Sequence, residues 1–325
     1  MNPLLISSLA LALSGTSLQD DPTAWSETVP RPRDVTEQTR ADADALAVLQ
    51  AHGKVLFQDD FESGEDSLAK YFEVRGGKDG RVALVPRPGP EETDEETDAV
   101  TETGNLALRC AAPDRDGKAS GSGVSAWLGR DGHDRVYFRR YIRFATDYDQ
   151  GNLNHTGGGL AGVAGSGKWD GMGQAGVRPR GDDRFTCRFE PWCEWGRAAL
   201  PGYLFLYTYW VDMAQGSDGN WWGNMLRPAP ERRVIPARGE WVCLEQMIRV
   251  NDIGEANGEL AAWVDGELYM HFKGLRWRTD ERVKIKRFGL GIYIHEARRE
   301  NVVWYDNVVL STGYVGPLDA PGSEK

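Results

Sequence analysis

The sequence predicts an all-β domain, a β-sandwich or jelly roll of two antiparallel sheets. Three observations carry that prediction. From Val55 onward, apolar and polar residues alternate in about ten short runs, as half-buried strands require. Gly, Asp and Pro separate the runs, which suits the turns of a sandwich. No stretch in this region sustains a helical period.

Taken in chain order, the first segment is "MNPLLISSLALALSGTSLQ", residues 1–19. Its apolar run from Leu4 to Leu13 has the length of a signal-peptide core and is too short to span a bilayer. A basic start is missing, and no Cys follows to carry a lipid anchor. The segment predicts a secreted or periplasmic protein. Residues 20–52 are polar and contain Pro, which reads as a linker with one short helix in "ADADALAVLQAH". The domain follows over 53–317. Its strand runs are "KVLFQDDF", "RVALVP", "NLALRC", "VYFRRYIRF", "DRFTCRF", "GYLFLYTYW", "EWVCLEQMIRV", "GELAAWVDGELYMHF", "KRFGLGIYI" and "NVVWYDNVVLS". Asp265-Gly266 lies between two apolar runs and predicts a hairpin. The tail 318–325 reads as disordered. There is no internal repeat.

The net charge of −11 argues against a nucleic-acid partner. Seven acids fall in "EETDEETDAVTE", residues 91–102, a solvated loop. Arg clusters instead in "YFRRYIRF", "RPRGDDRFTCRF" and "RWRTDERVKIKR", so a local basic groove is compatible with an acidic chain. The four cysteines, 110, 187, 193 and 243, form no C-x-x-C pair, which disfavours zinc and thioredoxin-like chemistry. Pro191 between Cys187 and Cys193 suggests a bend, and export permits disulfides, so a 187–193 bridge is expected.

Motifs exclude several chemistries. G-x-S-x-G, H-E-x-x-H and phosphate-loop patterns are absent. Glu92, Asp94 and Glu96 cluster, but in the acidic loop, and no strand offers the carboxylate pair of a retaining glycosidase. A different constellation stands out. In "PGYLFLYTYWVDM" the strand period puts Tyr203, Phe205, Tyr207 and Tyr209 on one face, and Leu204, Leu206 and Trp210 on the other. "FTCRFEPW" puts Thr186, Arg188, Glu190 and Trp192 on one face. If these strands pair, Arg and Tyr stand side by side. "NLNHTGGGLAG" places Asn154 and His155 before glycines that allow close approach of a ligand. "VYFRRYIRF" adds Tyr137, Arg139, Tyr141 and Arg143 on one face.

These segments, with "DDFESG", "EWVCLEQMIRVND" and "WYDNVVLSTGYVGP", resemble the polysaccharide lyases of families 14 and 20, alginate and glucuronan lyases. The flanking pieces also resemble the fungal cellulose-induced protein. The resemblance covers roughly residues 55–317 and implies a concanavalin-A-like jelly roll. In family 14 a Ser/Thr-x-Arg strand precedes a Tyr-x-Tyr strand. Here these are Thr186-Cys187-Arg188 and Tyr207-Thr208-Tyr209, which implies Arg188, Tyr207 and Tyr209 in the site. The family also carries a Lys in a Gly-rich segment, which reads "NHTGGGLAG" here. Asn154, His155 or Thr156 must substitute. Likeness to the cellulose-induced protein further implies a structural calcium held by Glu62, Asn105 and Asp306, oxygen donors suited to that ion.

The function expected is β-elimination on an acidic, uronate-containing polysaccharide by a secreted monomer, with no membrane partner and no catalytic cofactor. Such chemistry needs a group that neutralises the uronate carboxylate, a base for the C5 proton and an acid for O4. Tyr207 or Tyr209 is expected as the acid and also as base, its phenolate favoured by Arg188. His155 is the alternative base. Asn154, Thr186, Glu190, Arg139, Tyr141, Arg143 and Trp192 are expected to contact substrate, and Tyr203 to form a wall. The alternative is a non-catalytic carbohydrate-binding protein of the same fold, stacking sugars on Trp192, Trp221 and Trp222.

Overall fold

A computed structural model describes residues 53–89, 105–151 and 153–318. The expectations for 1–19, 20–52, the acidic run 91–102 and the tail beyond Leu318 lie outside the described residues.

The described chain forms β1 (Val55–Asp59), α1 (Glu65–Ala69), β2 (Glu73–Arg75), β3 (Val82–Pro86), β4 (Leu106–Ala112), β5 (Lys118–Trp127), β6 (Arg135–Phe144), β7 (Gly157–Val163), β8 (Arg184–Trp192), β9 (Tyr203–Tyr209), β10 (Asn224–Leu226), β11 (Trp241–Arg249), β12 (Gly258–Val264), β13 (Glu267–Leu275), β14 (Lys284–Ala297) and β15 (Asn301–Ser311). One sheet runs β13-β12-β11-β6-β15-β4-β3, with β1 also on β15. The other runs β10-β9-β8-β7-β14-β5-β2. The protein is a concanavalin-A-like jelly-roll β-sandwich of two antiparallel sheets.

Alternation explains the layering. Phe138, Ile142 and Phe144 of β6 meet Leu160, Phe189, Leu204, Leu206, Leu290 and Ile292 of the facing sheet in one core. Trp210 joins that core, as its place in the period required. The hairpin sits where expected. Asp265 and Gly266 both take positive φ, 49° and 85°, the conformation that a tight two-residue turn demands.

Four strands were not legible as such: β2, β5, β7 and β10. β5 reads "KASGSGVSAW" and β7 "GGGLAGV". Glycine and serine disfavour an isolated strand. Here both are paired on two sides, and the sheet supplies what propensity does not.

The expected 187–193 disulfide is not formed. All four cysteines are free and buried. Pro191 lies inside β8, so the chain does not bend there. Six positions along a strand span roughly 20 Å, against the reach of about 7 Å that bridging allows. Burial pushes the thiols of Cys110, Cys187 and Cys243 up to about 12. A thiol reagent is therefore expected to label none of the four in native protein and all four after unfolding. Mass spectrometry of the alkylated protein checks this, and native labelling or a 187–193 crosslink would refute it.

The residues assigned to calcium lie after β1, at the start of β4 and in the middle of β15, and Asp306 is engaged by a guanidinium. Arg87 Nε lies 2.6 Å from Asp306 Oδ2, and Arg87 N donates to Asn105 O at 2.7 Å. Glu62 Oε1 accepts from Leu106 N at 2.8 Å. Among the described residues no group of three or more His, Cys, Asp or Glu side chains is arranged for a metal. Calcium would have to displace Arg87 from Asp306, so the donors as arranged do not fit it.

The outward face of β6 and β11 is covered by the chain's own C-terminal segment. Tyr137, Met247, Ala261, Trp263 and Leu268 pack there with Tyr314 and Val315. Glu245, 1% exposed, accepts from Val315 N at 2.9 Å and Gly316 N at 2.8 Å. Burial pushes its carboxyl up to about 7, against those two amides and Arg139, which act the other way. The ordinary value is 4.5, so the folded state holds this proton more tightly than the unfolded state. Stability from the group is full below that value and is lost as pH rises through 7. The stability of wild type relative to Glu245→Gln is therefore expected to fall between pH 4.5 and 7, by up to about 3 kcal/mol. Thermal melts of both proteins across that range check it, and a flat difference would refute it.

Candidate active site

The site lies on the outward face of the second sheet. β8 and β9 pair so that Thr186 stands opposite Tyr209, Arg188 opposite Tyr207, Glu190 opposite Phe205 and Trp192 opposite Tyr203. The Arg-Tyr juxtaposition expected from alternation is present. β7 lies on the other side of β8 and brings Gly159 opposite Arg188. A Cβ at Gly159 would lie 2.8 Å from Arg188 Cγ, so glycine there lets the arginine lie across its neighbour.

His155 precedes β7 and is held by backbone. Its N–H donates to Tyr293 O at 2.7 Å, and Tyr293 N donates back to His155 O at 3.1 Å. The imidazole centroid lies 4.9 Å from Tyr207, 5.3 Å from His295 and 6.4 Å from Tyr293. Glu190, 1% exposed, joins the two cationic types: His155 Nδ1 lies 2.8 Å from its Oε1, and Arg188 Nε 2.9 Å from its Oε2. Burial pushes the Glu190 carboxyl up, but His155 and Arg188 together outweigh it and hold the group below its ordinary range. An ionised carboxylate only accepts. In the neutral imidazole, Nδ1 therefore carries the hydrogen and Nε2 the lone pair.

The two phenols differ. Tyr207 O accepts from Gly223 N at 3.0 Å, and Tyr209 O accepts from Gly176 N at 3.3 Å. Neither of these bonds uses a phenolic hydrogen, and the two hydroxyls also hydrogen-bond with each other. Burial, then Tyr209, push the Tyr207 phenol well above its ordinary value. This corrects the expected phenolate: the charge of Arg188 goes to Glu190, and Tyr207 stays protonated. A Cβ at Gly223 would lie 2.6 Å from the Tyr207 ring, so the 214–223 loop closes directly on it.

Of the remaining candidates, Thr186 stays beside Tyr209 and is part-exposed. Asn154 is buried and donates to Pro191 O at 3.3 Å. Thr156 is fully buried and accepts from Tyr148 OH at 2.9 Å. His155 is thus the one of the three with its ring among the site residues. Tyr203 is no open wall: it is 1% exposed, bonded to Glu194 and covered by the Arg233 guanidinium at 4.1 Å. Trp192 is likewise buried under Arg227, 4.6 Å from its ring. Glu190 is too buried for a sugar contact and instead orients its two neighbours. Arg139, Tyr141 and Arg143 lie elsewhere. β6 pairs with β11 and β15 in the other sheet, and these three point outward there. Arg143 donates to Gly239 O at 2.9 Å, and Arg139 lies over Tyr141 at 5.5 Å. Alternation shows that residues share a face, not which sheet owns it.

Tyr293 and His295 were missed. In "GIYIHE" Ile292 and Ile294 enter the core, so Tyr293 and His295 face outward beside His155. The same alternation that exposed the 203–209 tyrosines was available here. Burial, then the neighbouring His155, push the His295 imidazole below its ordinary value, which favours its neutral form.

Fold and site together define a class: a jelly-roll protein whose described residues gather an imidazole, a guanidinium and two phenols around a buried carboxylate on one outward face. The comparisons place it within that class. The family model Polysaccharide lyase 14 matches residues 118–294, more than half the chain, and the chain belongs to that family of polysaccharide lyases. Among solved structures, a marine PL-14 alginate lyase from Aplysia kurodai shares the fold at 14% identity and TM-score 0.53, over 78% of this chain and 92% of that one. The alginate lyase vAL-1 from Chlorella virus has 14% identity, TM-score 0.49 and coverage of 75% and 100%. An endo-β-1,4-glucuronan lyase from the fungus Trichoderma reesei has 16%, 0.47, and 81% and 96%. No curated protein sequence matches the chain. Among the described residues no helix is long and apolar enough to cross a membrane.

Proposed function

We propose that the protein is an exported lyase that cleaves a uronate-containing polysaccharide by β-elimination. The observation that carries this reading is the buried Glu190 carboxylate, which orients His155 and Arg188 beside the protonated Tyr207. Arg188, whose Nε is held by Glu190, offers Nη1 to the uronate carboxylate, so that the C5 hydrogen becomes acidic. His155 Nε2 takes that proton. The C5–H electron pair forms the C4=C5 double bond, the C4–O4 bond breaks, and the Tyr207 hydroxyl gives its proton to O4. Proton return from His155 to Tyr207 through solvent resets the site. No water enters the product. The apolar run from Leu4 to Leu13 supports export.

The ring geometry supports a narrower substrate class. The His155 and Tyr207 rings are in contact at 4.9 Å, so no sugar fits between them, and base and acid address the same face. That is syn elimination. In D-mannuronate and D-glucuronate the C5 hydrogen and O4 lie on one side of the ring; in L-guluronate they lie on opposite sides. The test is a panel of polymannuronate, glucuronan and polyguluronate, followed by the ultraviolet absorbance of the conjugated double bond. The first two are the expected substrates. Binding without absorbance would leave a carbohydrate-binding protein, and reducing ends without absorbance a hydrolase.

A further inference from the structure

An exposed tryptophan stands at the far side of this same sheet, where the proton chemistry does not use it. Trp169, in the loop between β7 and β8, is 55% exposed. Its ring meets Phe72 edge to face, centroids 5.1 Å apart at 89°. The loop is tied down from below. Arg287 Nη1 donates to Lys168 O at 2.8 Å and Asp170 O at 3.0 Å. Lys286 Nζ donates to Ala164 O at 3.2 Å and Gly165 O at 3.0 Å. Lys168 Nζ sits 5.7 Å over the Phe72 ring. The neighbouring acids are engaged: Asp170 accepts from Gly167 N at 2.9 Å, and Glu73 from Ser125 at 3.0 Å. A large ring held this firmly toward solvent suits a ligand with an apolar face.

The row between Arg188 and this ring carries only small residues, of which Gly289 and Ser125 are part-exposed. In register order it crosses Gly159 on β7, Gly289 on β14 and Ser125 on β5. Beside that row, Gly157, Gly291 and Gly123 stand opposite one another. From β8 to β5 is three strand spacings, roughly 14 Å. No large side chain rises from that row to block a polymer that crosses the strands between the reacting centre and the indole.

We propose that Trp169 and Lys168 form a distal subsite for the polysaccharide. The indole stacks on the C–H face of one pyranose ring, and the ammonium pairs with a uronate carboxylate. The proposal rests on the lyase reading for its ligand. Contact so far from the proton transfer strengthens ground state and transition state alike, so it acts on KM.

The experiment uses the full chain with Trp169→Ala, Trp169→Phe and Lys168→Met. Each is assayed on polymannuronate and glucuronan, and on the shortest oligosaccharide the wild type cleaves. Retardation in gels cast with each polymer is measured separately. For Trp169→Ala the KM on polymer is expected to rise about five- to tenfold, with kcat within about twofold. The short substrate is expected to be unaffected, gel retardation to weaken, and Trp169→Phe to retain part of the affinity. Lys168→Met is expected to raise KM on polymer and to reduce its salt dependence. Unchanged KM and retardation on polymer overturn the subsite, as does a loss confined to kcat. If the wild type makes no unsaturated product yet is retarded, and Trp169→Ala is not, the lyase reading fails while the subsite stands. A wild type neither active nor retarded on any polyuronate overturns both.

Discussion

Tyr207→Phe is expected to remove turnover while leaving the fold and glycan binding nearly intact. The phenyl ring keeps its packing against His155 at 4.9 Å and Tyr209 at 5.6 Å. Only the hydroxyl goes, and with it the proton for O4. A positioned acid contributes about 10²–10⁴ in rate, and a poor alkoxide leaving group draws on the upper part of that range. The lost acceptor also leaves Gly223 N unpaired in part-buried surroundings, at a stability cost of about 1 kcal/mol. Because burial holds Tyr207 protonated far above neutrality, its titration does not shape the neutral part of the pH–rate profile. Tyr209→Phe, which lacks the contact with His155, is expected to cost less. Steady-state kinetics on the best polyuronate, with a thermal melt of each variant, decide this. Full turnover in Tyr207→Phe would make the 203–209 tyrosines a packing ladder and no more.

The second large effect is expected from Glu190→Gln. Glu190 does not touch substrate; it is a positioning residue, buried between His155 Nδ1 and Arg188 Nε. An amide of the same shape cannot hold both. It offers one acceptor where the carboxylate offers two, and its NH₂ group opposes whichever donor it faces. The imidazole loses its fixed tautomer, and Arg188 loses the partner that sets its side chain. A fall in kcat of about 10²–10³ is expected, with a smaller change in KM. A merely structural role would lower stability without this split between kcat and KM. Stability carries a second signature. The folded-state value of Glu190 lies below its ordinary 4.5, so its stabilisation is present above that value and lost as pH falls below it. The advantage of wild type over Glu190→Gln should therefore shrink in acid. If kcat matches wild type, the buried carboxylate has no part in catalysis.

How much of this was legible in the sequence depends on which contacts are local. The face shared by Tyr203, Tyr207 and Tyr209 follows from a period of two, whatever surrounds the strand. So does the split in β8 between Arg188 and Glu190 outside and Cys187 and Phe189 inside. The Asp265-Gly266 hairpin follows from turn chemistry confined to two residues. By contrast, β5 and β7 are strands only because neighbours pair with them on both sides, and nothing in "KASGSGVSAW" announces those neighbours.

The sequence by itself determined the class of fold and which candidate side chains share a face, because side-chain alternation is a property of one strand. Arg188, Glu190, Tyr207 and Tyr209 were all readable at that level, and His155 was singled out by the glycines that follow it. Only the tertiary structure decided their burial and charge pairing, because these depend on what other strands bring. Crossing partners made Glu190 an orienting carboxylate, took the charge of Arg188 away from Tyr207, and kept that phenol protonated. They also buried Tyr203 and Trp192 under arginines and carried Arg139, Tyr141 and Arg143 to the opposite sheet. Desolvation and Coulomb forces act over a few ångströms in space, and that neighbourhood is set by strand order, which no local pattern encodes.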